Sequence, residues 1–175
     1  AVRGDATLAH EVTMIAVAAG ATVAAGESLT GGSLTDALTQ SPGSSAMLRG
    51  GVVAYDTELK HTLLGVDAAL LEERGAVDPD VALEMAHGVR YRLGATYGLA
   101  TTGVAGPAPQ DGKPPGVVHV AVAGPNGAHV LSPVLRGERD RIRSQTVTIA
   151  LELLRRTLLG VDPPVLGESV RAARS

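Results

Sequence analysis

The chain has 175 residues, of which 45% are hydrophobic and 19% charged, a balance typical of one globular domain and unlike that of a disordered or fibrous chain. It contains no Cys, Phe or Trp and three Tyr, which excludes disulfides, thiol nucleophiles, Cys-bound zinc and aromatic platforms for single-stranded nucleic acid. The net charge of −3 excludes a positively charged surface over the whole domain of the kind that binds duplex nucleic acid. Because the chain has no Cys to form disulfides, the expected location is the reducing cytoplasm.

Hydrophobic spacing and turn signals predict alternating helices and strands along the chain. Leu8 and Val12 fall on one face of an amphipathic helix that Gly20 ends. Residues 124–127 form a turn that joins two strands into a hairpin. In chain order, the predicted elements are helix 6–19, strand 22–26, helix 33–39, strand 51–55, helices 57–64, 68–74 and 79–93, strand 97–101, strands 117–123 and 128–135, and helix 138–159.

This alternation of strands and helices predicts an α/β fold: a single layered domain with a mixed, mainly parallel sheet, flanked by helices and carrying one β-hairpin. The domain is expected over residues 1–160, followed by a tail over 161–175. The longest weakly polar stretch, residues 14–26, is too short and too interrupted to span a membrane, and no signal-peptide pattern opens the chain. We therefore expect no contact with a membrane.

Charge is distributed unevenly along the chain. Residues 136–175 contain eight Arg and five acidic residues, whereas residues 1–135 contain seven basic and thirteen acidic residues. Four of the Arg side chains lie between positions 136 and 143. This Arg cluster is either the solvated start of a helix or part of a pocket for an anion.

The strongest local motif is the run from Gly26 to Gly32, which predicts a strand, a turn of small residues and a helix. It is not a phosphate-binding P-loop because no Lys follows the glycines, and it is not a complete G-x-S-x-G motif because Thr30 replaces the last Gly. Ser28 and Thr30 offer hydroxyl groups, and the N–H groups at the helix start are expected to bind a phosphate or an oxyanion. The alternative is a tight turn with a Ser/Thr cap.

Two other predicted strands also end in polar residues or Gly. Tyr55 and Lys60 follow one strand, and the run 101–107, which contains Thr102 and Gly103, follows another. Taken alone, Lys60 is compatible with a solvated surface residue and the run 101–107 with a capped turn. In an open α/β sheet, however, ligands bind outside the carboxyl ends of the strands. The three strand ends together therefore predict one functional site.

Metal ligation is not indicated. The five His residues do not fall in the spacing of a metal site, and His10-Glu11 is not followed by the second His of an H-E-x-x-H motif. We expect neither a protein-bound metal ion nor another cofactor.

Seven motifs and Lys60, in order along residues 6–159, resemble the CinA C-terminal domain family, whose enzymatic members are nicotinamide-nucleotide amidohydrolases. Each motif alone has modest specificity, but this many in the same order are highly specific. The motifs are Glu27-Ser28-Leu29-Thr30-Gly31-Gly32, Pro42-Gly43-Ser44-Ser45, Gly50-Gly51-Val52-Val53-Ala54-Tyr55, Leu63-Leu64-Gly65-Val66, Arg74-Gly75-Ala76-Val77, Thr102-Gly103-Val104-Ala105-Gly106-Pro107 and Gly137-Glu138-Arg139.

The resemblance implies an amidase that hydrolyses the carboxamide of nicotinamide mononucleotide to give nicotinate mononucleotide and ammonia. It implies that Ser28 is the nucleophile and that Lys60 and Tyr55 handle protons. To act as a base, Lys60 needs a lowered pKa, for which we expect burial under the Tyr55 ring and a nearby positive charge such as His61 or an Arg. The expected substrate-binding residues are Thr30, Gly31, Gly32, Ser44, Ser45, Thr102, Gly103, Arg139 and Arg143.

Two features depart from the family pattern. Leu29 stands where the family often has Cys, and the loop 107–116 is richer in Pro than the usual Gly-rich loop. One alternative to an enzyme is a non-catalytic module with a nucleotide-binding or regulatory role. Another, suggested by the family's historical name, is a factor acting on DNA, which the acidic balance opposes. The expected partner is a small nucleotide, with no direct contact to nucleic acid, and a homodimer or higher homo-oligomer is common for such enzymes.

Overall fold

The structure, a computed structural model, describes residues 4–163, so most of the tail predicted over 161–175 lies outside the described residues. Within residues 4–163, no helix combines the length and apolar character that crossing a membrane requires. The elements in chain order are α1 Asp5–Ala18, β1 Val23–Glu27, α2 Ser33–Thr39, a 3₁₀ turn Ser44–Ala46, β2 Leu48–Val53, α3 Thr57–Leu64, α4 Ala68–Arg74, α5 Pro79–Arg92, β3 Tyr97–Gly103, β4 Val118–Gly124, β5 Gly127–Leu131 and α6 Arg139–Leu159.

The five strands form one mixed sheet in the order β2-β1-β3-β4-β5. β1 pairs in parallel with both β2 and β3, whereas β3 with β4 and β4 with β5 are antiparallel. Four of the five strands of this sheet therefore run in the same direction, and the β4–β5 pair is the predicted hairpin. The predicted α/β class is confirmed, and the carboxyl ends of β1, β2 and β3 meet at one edge of the sheet.

Helices cover both faces of the sheet and divide the core into two layers. Because successive strand residues point to opposite faces, Val23 of β1 packs on the side of α1 and α6, whereas Ala24 packs on the side of α5. α5 lies close to the strands because small residues line the contact: a Cβ on Gly98 of β3 would overlap the carbonyl oxygen of Ala86. Because the chain has no Phe or Trp, the core consists mainly of Val, Leu and Ala, and these side chains allow the close packing.

Three helices, α2, α3 and α4, have the predicted bounds, whereas the strands at the two edges of the sheet do not. β2 spans Leu48–Val53 rather than 51–55, and its exposure alternates along the strand because successive side chains point to opposite faces of the sheet. β5 ends at Leu131 rather than at residue 135, since Pro133 cannot donate to the ladder. These differences leave the predicted site at the carboxyl edge.

Candidate active site

A cavity of about 450 Å³ lies at the carboxyl edge of β1, β2 and β3. This volume falls within the roughly 300–1,000 Å³ that small-molecule sites occupy. Two of the three predicted catalytic residues, Ser28 and Tyr55, line it, and Lys60 lies outside the lining. The lining residues are Ser28, Leu29, Tyr55, Asp56, Thr57, Gly103, Val104, Ala105, Gly106, Pro107, Ala108, Pro109, Gln110 and Arg139.

Ser28 follows β1 directly, and its backbone N–H donates to the carbonyl oxygen of Thr101 at 3.0 Å, which continues the pairing of β1 with β3. The residue is 7% exposed, and its hydroxyl has no hydrogen-bond partner among residues 4–163. The backbone N–H groups of Leu29 and Thr30 also donate to no group in this part of the chain. The free Ser28 hydroxyl and the free Leu29 N–H therefore lie in one turn beside the cavity, whereas Thr30 is fully buried and outside the cavity lining.

Glu27, which the sequence analysis did not single out, fills the N-terminus of α2. Its buried carboxylate accepts hydrogen bonds from the backbone N–H groups of Gly32, Leu34 and Thr35 at 3.2, 2.9 and 3.0 Å and from the Thr35 hydroxyl at 2.6 Å. These helix N–H groups are therefore not available to a substrate, contrary to the expectation that they bind a phosphate or an oxyanion. One sequence signal could have pointed to Glu27. The helix begins after Gly32, which has no side chain to cap it, so another residue has to supply the cap.

Gly31 and Gly32, two of the expected binding residues, give the turn its shape. Both have positive φ angles, 60° and 102°, a conformation that glycine adopts without strain. Gly31 N–H donates to the Ser28 carbonyl oxygen at 3.0 Å, and Gly32 N–H is taken by Glu27. Neither N–H group is left for a ligand.

Lys60 lies on α3, is 1% exposed, and donates to the carbonyl oxygens of Ala54 and Tyr55 at 2.8 and 3.1 Å. Burial lowers the pKa of its ammonium group from the usual 10.5 to about 8, and the negative charges of Asp56 and Asp111 oppose this shift. The cause is therefore burial, as expected, without a contribution from the positive charge of His61. A neutral amine has two N–H bonds and one lone pair, so the two carbonyl groups leave the lone pair free to accept a proton.

Tyr55, whose ring was the expected source of burial for Lys60, has a largely exposed side chain and contacts the Lys60 ammonium group through its backbone carbonyl oxygen. The residue is 59% exposed, and its phenol oxygen accepts a hydrogen bond from Nη2 of Arg139 at 3.3 Å. Nη1 of Arg139 donates to the carbonyl oxygen of Gly106 at 2.7 Å. Arg139 therefore presents a positive charge at the opening of the cavity, held between Tyr55 and the loop after β3.

The predicted Thr residues use their hydroxyl groups inside the protein. Thr30 and Thr101 are fully buried and hydrogen-bonded to each other through their hydroxyl oxygens at 2.8 Å. Thr102 donates to the carbonyl oxygen of Ala76 at 2.8 Å. Gly103 does line the cavity, and a Cβ there would lie 2.8 Å from the Val117 carbonyl oxygen.

Arg143 and the two loop serines are not brought to the cavity. Nε of Arg143 donates to the Leu29 carbonyl oxygen at 2.9 Å and Nη2 to that of Thr30 at 3.2 Å, so this side chain supports the Ser28 turn. Ser44 and Ser45 precede β2 and thus lie at the amino edge of the sheet. A strand of five or six residues, roughly 15–20 Å, separates them from Ser28.

No group of three or more His, Asp or Glu side chains able to hold a metal ion occurs within residues 4–163. His119 of β4, the most buried of the five His, shares a hydrogen bond of 2.8 Å with the Ser132 hydroxyl, and burial lowers the pKa of its imidazole.

The sequence profile of the CinA C-terminal domain matches residues 5–158. The chain belongs to the CinA C-terminal domain family. It is 53% identical to a CinA-like protein of Frankia casuarinae over 157 residues, which cover 90% of this chain and 36% of that protein. A CinA-like protein of Gloeobacter violaceus is 47% identical over 156 residues, covering 87% of this chain and 37% of that protein. The chain thus spans little more than a third of the length of these curated relatives.

Solved structures of the CinA superfamily share the fold. A competence/damage inducible protein, CihA, from Agrobacterium tumefaciens superposes with a TM-score of 0.83 at 39% identity, covering 91% of this chain and 98% of that one. A CinA superfamily protein from Klebsiella pneumoniae superposes with a TM-score of 0.86 at 29% identity, covering 90% and 99%.

The loop that departs from the usual CinA pattern is firmly attached to the domain. The Asp111 carboxylate accepts a hydrogen bond from the Ala76 N–H at 3.2 Å, and Lys113 Nζ donates to the Arg74 carbonyl oxygen at 2.8 Å. Residues 107–110 line the cavity, and the backbone of Gln110 pairs with that of Lys113. The Pro-rich loop therefore forms a wall of the cavity.

Proposed function

We propose that this CinA domain hydrolyses the carboxamide of nicotinamide mononucleotide, giving nicotinate mononucleotide and ammonia. The observation that carries the proposal is the turn after β1, where the Ser28 hydroxyl and the Leu29 N–H group are free beside a cavity of about 450 Å³. Hydrolysis of a primary amide through a covalent intermediate requires a nucleophile and donors for an oxyanion.

In the proposed first half-reaction, the Ser28 oxygen bonds to the carboxamide carbon and its proton passes to neutral Lys60. The Leu29 N–H group donates to the carbonyl oxygen as it becomes negative. The C–N bond then breaks, the proton held by Lys60 passes to the leaving nitrogen, and ammonia departs. A water molecule then attacks the acyl-Ser28 ester; one of its protons restores the Ser28 hydroxyl, the other is released to solvent, and the product leaves as the carboxylate.

The other end of the cavity supports a nucleotide as substrate. Arg139 offers a guanidinium group at the opening, and guanidinium groups bind phosphate through charge-assisted hydrogen bonds. Glu27 occupies the N-terminus of α2, and Arg143 donates to the Leu29 carbonyl oxygen, so neither is left to bind a phosphate. We therefore assign the 5′-phosphate to Arg139. The predicted homo-oligomer and the cytoplasmic location stay predictions.

The decisive experiment measures ammonia release from nicotinamide mononucleotide by the purified chain, together with nucleotide binding by calorimetry. We expect ammonia in proportion to enzyme, and we expect Ser28→Ala to lose turnover by orders of magnitude while still binding the nucleotide. Binding without ammonia release by the wild-type chain would instead indicate a non-catalytic nucleotide-binding module. Undiminished turnover by Ser28→Ala would remove Ser28 from the mechanism.

A further inference from the structure

We infer that Glu27 is the positioning residue that fixes Ser28 and its neighbouring N–H group for reaction, an inference that rests on the proposed role of Ser28 as nucleophile. Glu27 is the last residue of β1 and immediately precedes Ser28. Its carboxylate, fully buried, reaches forward across the turn and binds the first residues of α2. The turn that carries Ser28 is thereby closed into a ring.

The carboxylate accepts four hydrogen bonds, two on each oxygen. Oε1 accepts from Gly32 and Leu34, and Oε2 accepts both the N–H and the hydroxyl of Thr35. Only an ionised carboxylate offers two oxygens that act purely as acceptors, since an amide would turn one NH₂ group toward these donors. The arrangement is therefore specific for Glu rather than for any polar residue of similar size.

Three other helices of this domain, α3, α4 and α5, are capped in a different way. Asp56 caps α3, Asp67 caps α4 and Asp78 caps α5, each from the residue directly before the helix. α2 has Gly32 in that position and is capped instead by Glu27, which lies five to eight residues before the backbone N–H groups that donate to it. A local cap would stabilise α2 without constraining the turn, whereas Glu27 ties the end of β1 to the start of α2 across Ser28.

The same side-chain cluster extends to the neighbouring strand. The Thr35 hydroxyl, which donates to Glu27, lies over Gly51 of β2, where a Cβ would overlap it. Arg143 of α6 holds the Leu29 and Thr30 carbonyl groups. The turn is thus fixed by both Glu27 and Arg143, and displacement of reacting groups by about 1 Å is enough to reduce rates about a hundredfold.

The test compares Glu27→Gln with Asp67→Asn, which weakens the cap of a helix of the same length, α4, at an exposed position. Both are measured as full chains for ammonia release from nicotinamide mononucleotide and for labelling of Ser28 by a fluorophosphonate, followed by intact mass with Ser28→Ala as the blank. We expect Glu27→Gln to lower kcat and the labelling rate at least tenfold with KM changed less than threefold. Asp67→Asn should match the wild-type chain in both.

A second pair of variants covers the case in which Glu27→Gln does not fold, as judged by circular dichroism. Thr35→Val removes one of the four donors without changing the size of the side chain, and Thr35→Ser restores the hydroxyl. We expect Thr35→Val to lower kcat and labelling more than Thr35→Ser does, at unchanged KM.

The outcomes separate this inference from the proposed function. Ser28 labelling in the wild-type chain without ammonia release would refute the substrate and leave Glu27 to be judged by labelling alone. Wild-type kcat and labelling in a folded Glu27→Gln, or equal losses in Asp67→Asn, would overturn the positioning role and leave the amidase proposal standing. A wild-type chain that neither labels at Ser28 nor releases ammonia would overturn both.

Discussion

The ammonium group of Lys60 contacts Tyr55 through the backbone carbonyl oxygen at 3.1 Å, not through the phenol. The Tyr55 phenol instead accepts a hydrogen bond from Arg139, 84 residues further along the chain. Tyr55 thus joins the two ends of the candidate site: its backbone holds the proposed base, and its side chain holds the proposed phosphate ligand. This arrangement separates the group proposed to transfer protons, Lys60, from the group proposed to bind the substrate phosphate, Arg139.

The first prediction concerns the pH dependence of turnover. Burial lowers the pKa of the Lys60 ammonium to about 8, so the fraction of neutral Lys60 increases as pH rises through this value. We expect kcat/KM for nicotinamide mononucleotide to rise tenfold per pH unit below about 8 and to level off above it. Lys60→Arg, which keeps the charge but does not deprotonate, should lose roughly 10²- to 10⁴-fold in kcat. A Lys60→Arg chain with the wild-type rate and pH profile would make Lys60 structural.

The second prediction concerns stability and the same group. In the unfolded chain Lys60 titrates near its ordinary value of about 10.4, whereas in the folded chain it titrates at about 8. Between these values the unfolded state binds more protons, so the free energy of unfolding rises with pH. Relative to Lys60→Met, the wild-type chain should gain on the order of 3 kcal/mol from pH 7 to pH 11. Urea unfolding of both chains across this range measures the difference, and a constant difference would contradict the lowered pKa.

Local sequence signals were enough to predict most of the fold and to place the ends of β1, β2 and β3 at the edge where the candidate site lies. α3 and α4 have the predicted bounds because Asp56 and Asp67 cap them from adjacent positions. Ser28 was singled out as a candidate because a run of small residues followed by two glycines predicts a strand, a turn and a helix, which the structure contains. These signals depend on neighbours in the chain, which a sequence displays directly.

The contacts that were missed join residues distant in the chain or depend on strand direction. Arg139 and Arg143 are one helical turn apart on α6, yet one reaches the cavity and the other the back of the Ser28 turn. Ser44 and Ser45 were expected at the site but lie at the amino edge, because β2 runs parallel to β1 and begins after them. No spacing rule distinguishes such cases before the sheet is assembled.

The third prediction separates two roles for Tyr55. Because the phenol contacts Arg139 and not the Lys60 ammonium group, we expect it to orient the phosphate ligand. Tyr55→Phe should raise KM for nicotinamide mononucleotide roughly two- to tenfold and leave kcat within about threefold, the effect of losing one partly exposed hydrogen bond. Steady-state kinetics with the nucleotide varied from below KM to saturation measure both constants. A fall in kcat of about a hundredfold or more would instead assign the phenol to proton transfer between Ser28 and Lys60.

The last prediction concerns the phosphate and uses two Arg residues of the same helix. Arg139 lines the cavity, whereas Arg143 donates to carbonyl groups of the Ser28 turn. A charge-assisted hydrogen bond contributes about 1.5–3 kcal/mol, so Arg139→Ala should weaken binding of nicotinamide mononucleotide roughly ten- to 150-fold. Its effect on nicotinamide riboside, which lacks the phosphate, should be much smaller.

Arg143→Ala is the matched comparison for this measurement. It leaves two turn carbonyl groups without their guanidinium partner, so we expect it to lower kcat through disorder of the Ser28 turn and to affect both ligands to the same extent. Calorimetry with the two ligands on both variants, in the Ser28→Ala background to prevent turnover, gives the four affinities. If Arg139→Ala weakened the riboside as much as the nucleotide, the guanidinium would serve to anchor Gly106 and the loop wall, and the phosphate would have to bind elsewhere on the cavity lining.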